Sequence, residues 1–330
     1  MKIPSDAQAF VEKLRNGDRA TLGRAISFVE STAPAHRSFK RTLISAVDGA
    51  QANAYRIAIT GVPGVGKSTL IERFGLYLVE QGKRVAILAV DPSSGVSGGS
   101  ILGDKTRMQE LSRHPDAFIR PSPAGKTLGG VTAATHETAL LCAAAGYDLI
   151  LIETVGVGQS EWLVSEMVDA FVLLMLPNAG DELQGIKRGI FELADIIAVN
   201  KADGDQEAQA REASRAYSAA MRYGSHDRAE MPPILTTSGL YGGGLDALWE
   251  ALHTFFTERS NDGRLAAKRQ SIATKGFERA IDSVTRELLE ESDALTTLRK
   301  GLHAKLSDGE ITLSEGVEHF AESLKALLTR

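Results

Sequence analysis

Gly61-Val-Pro-Gly-Val-Gly-Lys67-Ser68-Thr69 lies between an apolar run, Arg56-Ile-Ala-Ile-Thr60, and the helical pattern Leu70-Ile-Glu-Arg-Phe-Gly-Leu-Tyr-Leu-Val79. Strand, glycine-rich loop and helix in that order are the context in which G-x-x-x-x-G-K-[ST] reads as a phosphate-binding loop. Each residue type answers a physical need. Gly61, Gly64 and Gly66 let the backbone curl so that successive N–H groups converge on phosphate oxygens, with Val62, Pro63 and Val65 completing the loop. The helix N-terminus beginning near Lys67, Ser68 and Thr69 adds partial positive charge. Lys67 brings a mobile cation to the β and γ phosphates, and the Ser68 hydroxyl is a ligand for Mg²⁺.

Outward from this loop, short apolar runs alternate with helix-length segments. They are Arg56–Thr60, Val85–Val90, Leu149–Ile152, Phe171–Leu176, Ile196–Val199 and Ile234–Thr236. Runs without polar alternation indicate parallel strands covered on both faces. The expected fold is α/β, a P-loop NTPase with a doubly wound, mostly parallel sheet, in which ligands sit at the carboxyl ends of the strands.

Three further motifs fall at such ends. Asp148-Leu-Ile-Leu-Ile-Glu153-Thr-Val-Gly156 ends a buried strand in a carboxylate that suits Mg²⁺, directly or through water, and Gly156 offers its amide to the γ-phosphate. Many P-loop proteins carry Asp where this chain has Glu153. Val90-Asp91-Pro92-Ser93-Ser94 places Asp91 at the same cleft, as a metal–water ligand or water-positioning group, or else as a turn-forming Asp before Pro. In the glycine-rich stretch beyond, Asp104 is a metal ligand or a plain loop acid.

Asn200-Lys201-Ala202-Asp203 decides the base. The Asp203 carboxylate only accepts hydrogen bonds and so matches the N1–H and N2–H₂ donors of guanine. Adenine lacks that donor pair and would leave the carboxylate unpaired. Thr237-Ser238-Gly239-Leu240 fits the loop whose backbone N–H meets guanine O6. The pattern points to GTP and GDP as ligands. Val157 stands where many regulatory GTPases carry a water-orienting Gln, and the first glutamine beyond is Gln159. Slow intrinsic hydrolysis, accelerated by a partner or a rearranged loop, is the expectation. Pro177-Asn-Ala-Gly-Asp-Glu-Leu-Gln-Gly-Ile-Lys187-Arg188-Gly189 is a candidate for that loop, with Lys187 or Arg188 neutralising transition-state charge or standing solvated at a helix start.

The ends of the chain read differently. Residues 1–50 show apolar stripes at helical spacing, Ala7, Phe10, Val11 and Leu14 and then Leu22, Ile26 and Val29, and are expected to cap the nucleotide domain, 51–258. From 259 to 330 the pattern is helical only. Ile272, Phe277, Ile281, Val284 and Leu288 line one long helix, and Thr312-Leu-Ser-Glu315 has the form of a capping box before a last stripe. Such a tail packs on the main domain or on a second copy, so a homodimer is expected.

Composition excludes several classes. Across 330 residues, 43% hydrophobic and 24% charged content is ordinary for a globular chain. A net charge of −5 and a pI near 5.9 argue against a general nucleic-acid or anionic-membrane binder. The single cysteine, Cys142, rules out an internal disulfide and any multi-cysteine metal site. Met1-Lys-Ile-Pro-Ser-Asp6 has no long apolar core, and the run Ala139–Val157 is broken by Gly146, Tyr147, Asp148 and Glu153, so neither a secretory signal nor a membrane span is expected. A reducing cytoplasm (or an organelle matrix after processing) is the expected location.

Taken together, Gly61–Thr69, Val90–Ser94, Glu153-Thr-Val-Gly-Val-Gly-Gln-Ser160, Leu176–Gly189 and Asn200–Asp203 resemble the MeaB/ArgK GTPases associated with methylmalonyl-CoA mutase. The two glycine-rich stretches, Glu153–Ser160 and Leu176–Gly189, make the match specific, and no departure occurs at the motifs. The resemblance implies a homodimeric GTPase that binds the adenosylcobalamin-dependent mutase, gates cofactor loading and guards the enzyme. It implies Lys67 and Ser68 on phosphate and Mg²⁺, with Asp91, Asp104 and Glu153 around the metal, and the 177–189 loop as an added switch. Other readings are a nickel- or zinc-insertion GTPase, weakened by one Cys and seven scattered His; a transport-associated kinase or ATPase, opposed by Asp203; and a binding module with incidental hydrolysis.

Overall fold

In the computed structural model, the described residues are 1–47, 54–90, 108–122, 128–154, 161–177, 188–224 and 230–328. They divide into two compact units, Met1–Ile272 and Ala273–Arg330.

The first unit holds a seven-stranded sheet: β1 (Tyr55–Gly61), β2 (Val85–Val90), β3 (Ala117–Ser122), β4 (Leu149–Thr154), β5 (Ala170–Met175), β6 (Ile196–Val199) and β7 (Ile234–Thr236). Every pairing is parallel and the order is β3-β2-β4-β1-β5-β6-β7. The chain winds outward from β1 to one edge, returns through β4, and then winds to the other edge. The crevice created by that reversal lies over the carboxyl ends of β4, β1 and β5, where ligands of such sheets bind.

Strand residues alternate between two cores. Ile57, Ile59, Leu149, Leu151, Val172 and Leu174 pack on the side of α4 (Lys67–Glu80), together with Leu70, Ile71 and Phe74. Ala58, Ile150, Ile152, Phe171 and Leu173 face the other way, onto the helix Leu128–Ala144 and the N-terminal helices. A strand apolar on both faces has no polar alternation, which is why these segments read as unbroken hydrophobic runs.

Among the described residues three α-helices precede the sheet, α1 (Ala7–Arg15), α2 (Arg19–Val29) and α3 (Arg37–Val47). Asp6 and Asp18 cap the first two by accepting from Ala9 N (2.9 Å) and Thr21 N (2.8 Å). Their buried stripes, including Phe10, Leu14, Leu22 and Ile26, join the core on the Leu128–Ala144 side. Sequence patterning missed β3, because Ala117-Phe-Ile-Arg-Pro-Ser122 carries Arg120 and Pro121. As the edge strand it tolerates both, with Arg120 paired to Glu30, the C-cap of α2.

In the second unit, the long helix Arg264–Glu291 continues from the first and is followed by Asp293–Ser307 and Leu313–Leu328. Thr312 and Glu315 form a reciprocal capping box: Glu315 Oε2 accepts from Thr312 N (2.7 Å) and Thr312 Oγ1 accepts from Glu315 N (3.3 Å). Phe277, Ile281, Val284 and Leu288 of the long helix are all exposed in the single chain. No helix among the described residues is long and apolar enough to cross a membrane.

Candidate functional site

The loop between β1 and α4 sits at the crevice. Gly66, at φ 93, precedes the first residue of α4, and a Cβ there would lie 2.8 Å from Asn200 Nδ2. A side chain at 66 would therefore strain the loop and displace Asn200, so only glycine fits. Lys67 is buried, and its Nζ donates to Gly61 O (2.8 Å) and Val62 O (3.2 Å). Val65 is fully buried beneath the loop, whereas Pro63, Gly64 and Thr69 are exposed around it.

The Ser68 hydroxyl donates to Glu153 Oε1 at 2.6 Å, joining the start of α4 to the carboxyl end of β4. Glu153 is 7% exposed and pairs in register with Ile59 of β1, beside the loop. Just past it, Thr154 Oγ1 donates to Thr60 Oγ1 (2.8 Å), clamping the two strand ends together. A buried carboxylate against a hydroxyl is an oxygen-only donor set, the chemistry that suits a hard divalent cation. Among the described residues no group of three His, Cys, Asp or Glu side chains could hold a metal. The other expected ligands, Asp91 and Asp104, lie outside the described residues, as do Gly156 and Lys187.

Asn200 joins the loop between β1 and α4 to the segment after β7. Its Nδ2 donates to Val65 O (2.8 Å), and its Oδ1 accepts from Gly239 N (3.0 Å) and Thr237 Oγ1 (3.3 Å). Lys201 has φ 61, the one non-glycine residue among those described in left-handed backbone. That sharp turn separates Asn200, pointing under the loop, from Asp203, whose Oδ2 accepts from Ser238 Oγ at 2.6 Å. Ser238 Oγ also accepts from Tyr241 N (3.1 Å), so one buried hydroxyl fixes both the carboxylate and the turn that follows. A Cβ on Gly239 would come within 2.9 Å of Leu70 N, which sets this loop directly against α4, while Leu240 remains exposed. Sequence reasoning placed Ser238 in this loop. Its hydroxyl's grip on Asp203 was not legible, because nothing local links positions 35 residues apart.

The G-x-x-x-x-G-K-[ST] loop, the strand-end carboxylate and the N-K-x-D stretch thus converge from β1, β4, β6 and β7 onto one end of the sheet, the arrangement that defines a P-loop GTPase. Comparison with known proteins narrows the class. The family profile described as "Methylmalonyl Co-A mutase-associated GTPase MeaB" matches residues 22–293, and the chain belongs to that family. A probable GTPase of Mycobacterium tuberculosis is 48% identical over 94% of this chain and 92% of its own length. The mitochondrial methylmalonic aciduria type A homolog of Mus musculus is 48% identical over 80% of this chain and 67% of its own. A crystal structure of an LAO/AO transport system kinase superposes with a TM-score of 0.74 at 33% identity, covering 98% of this chain and 99% of that one.

Proposed function

We propose that this GTPase serves an adenosylcobalamin-dependent methylmalonyl-CoA mutase as a chaperone, coupling GTP turnover to cofactor loading and to protection of the mutase. The observation that carries this reading is the match of residues 22–293 to a family described by its association with that mutase. The mouse relative's name, which refers to methylmalonic aciduria, is consistent with it.

The site supports a division of labour. Lys67 Nζ rests on two neutral carbonyls, Gly61 O and Val62 O. An anionic phosphate oxygen is a stronger acceptor, so arriving β and γ phosphates draw the ammonium away from them. The loop N–H groups of Gly61–Thr69 and the N-terminus of α4 add donors at the same place. Ser68 and Glu153, with Asp91 and Asp104, would hold Mg²⁺, which when bound neutralises charge on the phosphates. Asp203, oriented by Ser238, keeps acceptor capacity for guanine N1–H and N2–H₂, and the Gly239–Leu240 backbone reads O6. Gly156 would meet the γ-phosphate and Lys187 would offset transition-state charge. With Val157 in the water-orienting position, the intrinsic rate is slow and the mutase raises it.

A second copy of the chain is proposed to cover the exposed stripe of Phe277, Ile281, Val284 and Leu288, giving a homodimer. These residues recur at helical spacing, and their burial is the expected driving force.

Steady-state GTP hydrolysis, measured alone and with the host's methylmalonyl-CoA mutase, tests the reading. A slow basal rate raised severalfold or more supports a mutase-coupled switch. A rate unmoved by active mutase removes the partner and leaves the GTPase.

A further inference from the structure

The β1–β4 ladder ends at Ile59 and Glu153, although β1 runs on beside β5 to Gly61 and β4 beside β2 to Thr154. Thr60 and Thr154 are the next pair in that register, and there a side-chain bond takes over from the backbone. Thr154 Oγ1 donates to Thr60 Oγ1 at 2.8 Å, and both residues are buried. Side chains alternate across a strand, so the two threonines share the face of Ala58 and Ile152, away from α4. Glu153 lies on the α4 face, where Ser68 meets it. The end of β4 is thus tied from both faces of the sheet, by Thr60 just before Gly61 and by Ser68 just after Lys67.

Stability alone does not call for hydroxyls at these positions. The residues leading up to them, Ile57-Ala58-Ile59 and Leu149-Ile150-Leu151-Ile152, are aliphatic. A pair of valines has the same shape and leaves no polar group to satisfy, an exchange that is nearly neutral when both partners are replaced. What methyl groups lack is direction. A hydrogen bond fixes a distance and an angle, whereas dispersion contacts are shallow and do not.

We propose that Thr60 and Thr154 are positioning residues for GTP hydrolysis. Their bond sets the spacing between the end of β4 and the loop that follows β1, a role that rests on the reading of Ser68 and Glu153 as Mg²⁺ ligands. With the spacing fixed, the Glu153 carboxylate is delivered to Ser68 before any cation arrives. Both threonines act through the strand ends, from the face away from Ser68.

The test compares the wild type with Thr154→Val, Thr154→Ser and the double variant Thr60→Val/Thr154→Val. The readouts are release of N-methylanthraniloyl-GDP against Mg²⁺ concentration, single-turnover GTP hydrolysis at saturating Mg²⁺, and thermal unfolding without nucleotide. Thr154→Val should need about tenfold more Mg²⁺ to slow GDP release and should hydrolyse GTP about tenfold more slowly, as expected for a residue behind a metal ligand. It should also melt earlier, because Thr60 keeps a buried hydroxyl without this partner. Thr154→Ser should restore the Mg²⁺ response and the rate. The double variant decides the matter: its melting temperature should return towards the wild-type value while the Mg²⁺ response and the rate stay impaired. Recovery of all three in the double variant, a Thr154→Val protein altered in melting temperature alone, or a Thr154→Ser protein as impaired as Thr154→Val would overturn the proposal. Glu153→Gln separates the two layers, since an unchanged Mg²⁺ response there would overturn the metal reading and this role with it.

Discussion

The two ends of β1 both carry charge, and they treat it in opposite ways. At its start, Arg56 is buried against Asp169, the residue preceding β5. The Asp169 carboxylate accepts from Arg56 N (2.9 Å) and Nη2 (2.8 Å), and from Arg269 Nε and Nη2 of the long helix (both 3.0 Å). Arg269 Nη2 also donates to Ala54 O (2.6 Å), and Lys268 Nζ to Asp169 O (3.0 Å). Burial alone would raise the Asp169 carboxyl, but the Arg56 charge and the hydrogen bonds from both arginines outweigh it and hold it below the ordinary carboxylate range. At the other end, Lys67 rests on neutral carbonyls and Ser68 on Glu153. These are partners that a phosphate or a cation can replace. A locked ion cluster holds the architecture, whereas replaceable bonds mark the place where something else binds.

That contrast breaks if changes at the nucleotide end unfold the protein or changes at the Arg56 end spare it. The largest expected effect is on base choice. Asp203→Asn should weaken GTP binding by on the order of 10⁴ and confer xanthosine triphosphate binding, with little change in melting temperature, read by titration and thermal unfolding. Unchanged GTP affinity would remove the base assignment. Next comes Asp169→Ala, which removes the carboxylate shared by two buried or half-buried guanidinium groups and should cost about 3–5 kcal/mol in urea unfolding. Because the folded Asp169 carboxyl titrates below its unfolded value, its contribution is fully present above the unfolded pKa and is lost as pH falls through the folded one. Wild-type stability should therefore fall below about pH 4, and less steeply in Asp169→Asn.

Lys67→Ala should slow GTP hydrolysis by about 10²–10³ without lowering stability, which single-turnover kinetics would show. The smallest effect is expected from Ser238→Ala. It frees Asp203 from its orienting hydroxyl and should weaken GTP about tenfold, the worth of one hydrogen bond to a charged group. A change confined to melting temperature would make Ser238 merely structural.

These contrasts also explain what the sequence makes legible. Phosphate loops and base-reading motifs are contiguous, because a few successive N–H groups or side chains must converge on one small ligand. Gly61–Thr69 and Asn200–Asp203 could therefore be read directly, and the runs flanking them revealed the parallel sheet. The Arg56 cluster is the reverse case. Asp169 and Arg269 stand 100 positions apart and neither sits in a motif, so only the folded chain brings them together. β3 was hidden by Arg120 and Pro121, which an edge strand accommodates and a central one would not.

The most direct test is thermal unfolding of the wild type, Lys67→Ala and Asp169→Asn, each with and without Mg²⁺ and saturating GDP. Nucleotide should raise the melting temperature of the wild type and of Asp169→Asn by similar amounts, as binding to the folded state alone requires. Lys67→Ala should start from the wild-type temperature and respond weakly, and Asp169→Asn should start well below it. A Lys67→Ala protein that is itself strongly destabilised, or an Asp169→Asn protein that folds yet ignores nucleotide, would contradict the separation of the two ends.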